Sequence, residues 1–169
     1  MVKILVGYYS RSGNTKAMAE AVAEGARSEG AEVDLKAVGD IDVNTLPGYD
    51  AIVFGSPTYY GVMAAEMKDL IDRSVKHHGG LAGKVGGAFS SSGLVGGGNE
   101  TTILSILEAF LIHGMVVSGV AQENHYGPVS VGKPDEDTKA ECVSYGTRVA
   151  RLTTRLYEKT NPGLPNERY

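Results

Sequence analysis

Tryptophan is absent from this 169-residue chain, and cysteine occurs once, as Cys142. A lone cysteine cannot close an internal disulfide, so the fold is expected to rest on its core and the setting to be reducing and cytoplasmic. No stretch approaches the roughly 18 apolar residues that span a bilayer. Nor does a charged segment followed by an apolar stretch and a small-residue cleavage site mark a secretion signal. Positive charge is scarce as well: 16 Lys and Arg against 20 Asp and Glu leave a net charge of −4. That balance gives no electrostatic footprint for nucleic acid. The modest concentration at Arg148, Arg151 and Arg155 reads as a solvated helix face. The four histidines lack the companions at useful spacing that a metal site needs. His77 and His78 read as dipole partners at the end of a helix, and His113 as a packing or capping residue beside Gly114.

Glycine is abundant, with 23 residues, concentrated where elements end. Between the glycines, short apolar runs alternate with amphipathic segments, the mark of a parallel sheet covered by helices on both faces. The runs are Val2 to Tyr8, Ala31 to Val38, Asp50 to Gly55, Lys84 to Ser90 and Met115 to Ala121. Helical spacing follows at Met18, Val22 and Ala26, at Met63, Met67, Leu70, Ile71 and Val75, and at Ile103, Ile106, Leu107, Phe110 and Leu111. A last helix begins near Asp135, with Val149, Leu152 and Leu156 facing inward and Cys142 at a core position, and Asn161-Pro162-Gly163 ends it. The pattern predicts one doubly wound α/β domain over residues 1–160 with a five-stranded parallel sheet of order 2-1-3-4-5, and a polar tail over 161–169.

In such a sheet a ligand lies outside the carboxyl ends of the strands, at the switch point between the first and third. Three loops meet there. Ser10-Arg11-Ser12-Gly13-Asn14-Thr15 joins a strand to a helix, so backbone amides, the helix dipole and three hydroxyls converge as a phosphate cradle. The same residue types also serve an ordinary capped turn. A P-loop, a dinucleotide fingerprint, a cysteine phosphatase loop and a phospho-accepting receiver are each excluded by residues the segment lacks. The second loop, Ser56-Pro57-Thr58-Tyr59-Tyr60-Gly61, offers adjacent aromatic rings. The third, Ser90-Ser91-Ser92-Gly93-Leu94-Val95-Gly96-Gly97-Gly98-Asn99-Glu100, offers backbone amides that can approach a flat polar edge. A ligand with a phosphate at one end and a planar heteroaromatic ring at the other uses all three, and flavin mononucleotide (FMN) is such a ligand.

Four segments in order then carry a resemblance: Tyr8-Tyr9-Ser10 leading into the cradle, Tyr49-Asp50-Ala51-Ile52 leading into Gly55-Ser56-Pro57-Thr58, Phe89-Ser90-Ser91 leading into the glycine run, and His113-Gly114-Met115-Val116. From Lys3 to about Tyr157 the chain resembles the flavodoxin-like family, and more closely its WrbA-like NAD(P)H:quinone oxidoreductase branch. The resemblance implies that Ser10, Arg11, Ser12, Gly13, Asn14 and Thr15 take the FMN phosphate. It also implies that Pro57, Thr58, Tyr59, Tyr60 and Gly61 border the flavin ring, and that Ser91, Ser92, Gly93, Gly96 and Gly97 line its pyrimidine side. It further implies NAD(P)H as electron donor, a quinone as acceptor and a homo-oligomer, dimer or tetramer. The chain departs from the family in lacking the long insertion before the third strand, the tryptophan beside the flavin and the first of two histidines, replaced by Ile112. Its third loop is one residue longer through Leu94-Val95, and the loop after strand five is shorter.

No dedicated acid or base stands out. His125 and Tyr126, in Asn124-His125-Tyr126-Gly127-Pro128, are expected to overhang the crevice, where His125 could steer or protonate a quinone oxygen. Two functions fit: an FMN enzyme passing electrons from NAD(P)H to a quinone, and a flavodoxin-type single-electron carrier between proteins. Carriers tend to be acidic around the flavin, whereas the three loops hold no Asp and only Glu100, which favours the enzyme.

Overall fold

A computed structural model describes residues 1–158. Its elements are β1 (Lys3–Tyr8), α1 (Asn14–Ser28), β2 (Glu32–Ala37), β3 (Ala51–Tyr59), β4 (Val62–Met63), α2 (Ala65–Arg73), β5 (Val85–Ser92), α3 (Asn99–Ile112), β6 (Val116–Val117), β7 (Val129–Val131) and α4 (Glu136–Glu158). The parallel sheet runs β2-β1-β3-β5-β6, with β4 antiparallel to β3 and β7 parallel to β5. This is the expected 2-1-3-4-5 order, with a short hairpin strand added and the edge strand in two pieces.

Alternate residues of the central strands feed two cores, as the period of two in a strand requires. Ile4, Val6, Val53 and Phe89 pack with Met18 and Val22 of α1 and with Tyr145 and Val149 of α4. Leu5, Ile52 and Phe54 pack with Met67 and Leu70 of α2 and with Ile103, Ile106 and Phe110 of α3. Because both faces are covered, β5 is buried along its whole length, which explains the continuous apolar runs. The helices α1 and α4 meet backbone to backbone. A Cβ on Gly25 would lie 1.9 Å from the Val143 carbonyl oxygen, and one on Gly146 would lie 2.0 Å from that of Val22. Each helix therefore carries its glycine where the other's backbone presses in.

Several boundaries differ from those expected. Met63 lies on β4, not on a helix, and reaches the α2 core because the hairpin delivers it there. Val75 follows α2 in a 3-10 turn, and both it and Leu111 are exposed. Leu156 is also more than a third exposed. The largest difference is at the edge, where Met115 to Ala121 was expected to be one strand. Only Val116–Val117 pairs, opposite Val85 and Gly86, and pairing resumes at Val129–Val131 opposite Ser90 to Ser92. In the gap, the Ala88 N–H donates to the Tyr145 hydroxyl at 2.9 Å, and Gly127 lies so close that a Cβ would sit 2.1 Å from the Ala88 oxygen. A side chain from α4 thus satisfies the backbone donor that the missing strand residues would have taken, as a buried N–H requires. The Asn161-Pro162-Gly163 stop and the 161–169 tail lie outside the described residues.

Candidate functional site

The carboxyl ends of β1, β3 and β5 are adjacent, with Tyr8 opposite Gly55 and Pro57 opposite Ser91. Beyond β1 the chain enters α1 through Gly13, at φ 91°, with open space where a Cβ would stand and no side chain capping the helix. The first-turn amides are left for an outside acceptor. Ser10 Oγ accepts from the Gly13 N–H at 3.1 Å, so the Ser10 hydroxyl proton is free to be donated. Thr15, buried, bonds hydroxyl to hydroxyl with Ser91 at 2.8 Å. That bond ties the cradle to the end of β5.

β3 turns into β4 through Tyr60 and Gly61, with Tyr59 paired to Val62. Both turn residues have positive φ, 52° and 83°, the two-residue geometry that suits a twisted hairpin. Tyr60 is the one non-glycine residue with positive φ among those described, and its side chain stands wholly in solvent. Below it a network of hydroxyls fixes the floor. Thr58 Oγ1 bonds Ser90 Oγ at 3.0 Å and accepts from Thr102 Oγ1 at 3.0 Å. Asn99 Nδ2 donates to the carbonyls of Ser90 and Ser130, at 3.4 and 3.2 Å. Ser90, Ser91, Ser92, Asn99, Thr102 and Ser130 are all buried, so these polar groups are positioned before any ligand arrives.

Beside the cradle opens a cleft of about 780 Å³ lined by Tyr9, Arg11, Thr58, Tyr59, Tyr60 and Glu66, among others. That volume lies within the range of small-molecule sites. Tyr9 and Tyr59 meet edge to face at 6.4 Å, and Glu66 holds the Tyr9 hydroxyl above its ordinary pKa. Arg11 brings a cation to the same wall. A more enclosed cavity of about 310 Å³ lies at the opposite end of the sheet, by Val85 and Gly86. Two of its arginines are already paired, Arg148 with Glu123 and Arg151 with Glu29.

The structure therefore brings the three loops named from the sequence to the adjacent carboxyl ends of β1, β3 and β5. The Thr15–Ser91 bond ties the first loop to the third, and Thr101 Oγ1, on α3 just beyond the glycine run, donates to the Gly61 oxygen of the second at 2.6 Å. Ser91, Ser92, Gly93, Gly96 and Gly97 meet the site from the β5 side and do not line the cleft itself. His125 and Tyr126 do not line the cleft either. The loop carrying them is pinned along the sheet edge by Asn124 to Glu141 and Glu123 to Arg148, both on α4, and His125 Nδ1 bonds the Val120 oxygen at 2.8 Å. The buried Asn99, Thr102 and Ser130 were not singled out in the sequence; Asn99, at the start of a helix after a glycine run, carried the one usable signal. Cys142 is fully buried, and burial pushes its thiol up to about 12, so it takes no part.

A doubly wound sheet whose switch point carries an uncapped helix start, flanking hydroxyls and tyrosines has the architecture of a ligand-binding α/β protein. A flavodoxin family model matches residues 6–102, and the chain belongs to that family. It is 38% identical to an NAD(P)H dehydrogenase (quinone) of Archaeoglobus fulgidus, over 92% of this chain and all of the relative. It is 43% identical to a flavodoxin of Aquifex aeolicus, over 89% of this chain and 86% of that one. Among solved structures, the WrbA-like flavodoxin of Agrobacterium tumefaciens superposes with a TM-score of 0.78 at 28% identity, covering 92% of this chain and 99% of that one.

Proposed function

We propose that the chain is an FMN-binding oxidoreductase that takes electrons from NADH or NADPH and passes them to a quinone-type acceptor. The observation that carries this reading is the uncapped α1 start at Gly13 with its free Ser10 hydroxyl proton, set beside a tyrosine-lined cleft. The donor set fits FMN: the amides of the first turn and the Ser10, Ser12 and Thr15 hydroxyls match a phosphate, and Tyr59 and Tyr60 match a planar ring. Names carried by relatives such as the Archaeoglobus protein support the donor and acceptor.

The bound FMN would supply the two-electron redox chemistry that no side chain of the chain offers. The chain's own part is to bind and orient. Ser10 donates to the phosphate, and Arg11 offsets its charge. Tyr60, held outward by its turn, would flank the ring, while Ser91, Ser92, Gly93, Gly96 and Gly97 would serve its polar edge. NAD(P)H and one proton would together reduce the quinone to the quinol, with water supplying that proton. A homo-oligomer, dimer or tetramer, in the cytoplasm completes the reading.

The test is steady-state oxidation of NADH and NADPH with benzoquinone by the FMN-loaded protein. Turnover supports the enzyme. No turnover, with photoreduction stopping at the one-electron level, would instead favour the carrier. A colourless protein that fails to bind added FMN sinks both.

A further inference from the structure

The glycine-rich loop after β5 holds two large apolar side chains out in water. Leu94 is 73% and Val95 90% exposed, yet the turn beneath them is fixed. The Leu94 carbonyl accepts from the Gly97 N–H at 3.1 Å and from Ser92 Oγ at 2.9 Å, and Gly96 takes the positive φ of 73° that the turn needs. This turn is braced against the tip of the β3–β4 hairpin. A Cβ on Gly98 would lie 2.7 Å from Gly61 Cα, and Thr101 Oγ1 donates to the Gly61 oxygen. Tyr60 and Val62, also exposed, sit on that tip. A single exposed apolar residue is ordinary, but four on two braced turns at the mouth of one site make a patch that signals a ligand. Residues 90 to 98 carry no charge, so Leu94 and Val95 present an apolar surface, while the charges of the cleft, Arg11, Glu66 and Lys68, lie on the Tyr60 side.

We infer that Leu94 and Val95, across from Tyr60, form a subsite for the hydrocarbon side chain of an alkyl- or prenyl-substituted quinone, which makes such quinones the preferred acceptors. The inference rests on the quinone reading above. It adds where the rest of the acceptor lies once its ring is at the flavin site: along the rim, with its chain over Leu94 and Val95. Burying two methylenes there would strengthen binding roughly tenfold.

The experiment compares a decyl-substituted benzoquinone with its methyl-substituted counterpart, using the FMN-loaded protein and a double variant, Leu94→Ser with Val95→Ser. Both residues are exposed, so the variant should fold, and its far-UV spectrum and FMN affinity should match those of the parent. The parent should show kcat/KM at least about tenfold higher for the decyl compound, carried by KM, because the gain is in binding. The double variant should lose that preference and keep its activity on the methyl compound. Turnover of both compounds without a decyl preference, or a preference that survives the double substitution, overturns the inference and leaves the quinone reading standing. No turnover of either compound overturns both. A change in sedimentation mass in the variant also overturns it, since the patch would then be a contact between copies.

Discussion

Replacing Tyr60 with Asn should make the flavin-free protein more stable and the flavin complex weaker. Tyr60 sits at φ 52°, a region that costs an L-residue roughly 1–2 kcal/mol and that Asn visits far more readily. Its ring is wholly exposed, so truncation forfeits no buried area within the chain. Asn followed by Gly61 is also the usual pair in a two-residue hairpin turn of this kind. The backbone relief therefore stands almost alone, at about 1 kcal/mol, which for a chain of this size raises Tm by roughly 2–4 °C. The ring lost from the flavin site was worth about 0.5–1.5 kcal/mol of aromatic contact, so FMN affinity falls roughly three- to tenfold. Thermal melts of the flavin-free protein followed by far-UV circular dichroism, and FMN titration followed by flavin fluorescence, measure the two effects. A Tm that stays level or drops refutes the strain argument. Unchanged FMN affinity shows instead that the ring does nothing at the site, and opposite signs for the two effects are the signature of strain kept for binding.

Other perturbations probe the frame. Gly146→Ala gains about 1 kcal/mol of helix propensity but sets a Cβ 2.0 Å from the Val22 oxygen, and overpacking of that kind costs about 1–3 kcal/mol or more. A net loss in urea denaturation is expected, and a gain would show that α1 and α4 can part cheaply. Tyr145→Phe leaves the Ala88 N–H buried without its acceptor and should cost about 1–3 kcal/mol, with FMN affinity unchanged because Ser90 and Ser91 keep their bonds. A loss below about 0.5 kcal/mol would mean that the hydroxyl is dispensable there. His113 donates from Nε2 to Ser74, whose own proton goes to the Ile71 oxygen. Burial, then His78 and His77, hold His113 below its ordinary pKa. The unfolded chain therefore takes up this proton first, so the stability His113 contributes is full above about pH 6.5 and declines as pH falls toward the folded value. Urea midpoints across that window should slope in the parent and flatten in His113→Asn, and equal slopes would exclude His113 as the source.

The parts of the site that could be read from sequence are those where local chemistry and chain order agree. A serine-rich link between an apolar run and a helix, tyrosines after the third run and glycines after the fourth each specify their own loop, and the parallel order then makes them meet. What could not be read depends on contacts across the fold. Met115 to Ala121 has a strand's composition but pairs only at Val116 and Val117, and farther along β5 the Ala88 N–H is taken by Tyr145, from a helix that begins 15 residues after Ala121. Met63 keeps helical register with Met67 by coincidence, because the hairpin places it against the same core. His125 was expected over the crevice on topology alone, whereas its loop is held to α4 by Glu141 and Arg148. Gly25 and Gly146 look like weak helix positions until the two helices are seen to cross there.

The divided edge also bears on how copies of this chain can associate. A sheet grows between molecules through long, unbroken edge strands with free backbone groups. Here one edge offers two residues, then a loop, then three, and the opposite edge, β2, carries Glu32 and Asp34, both paired with Lys3, and Lys36, paired with Asp34. Neither border is a template for a further strand. Any contact between copies is thereby directed to helix faces and loops, leaving the sheet closed to recruitment and its carboxyl end open to ligands.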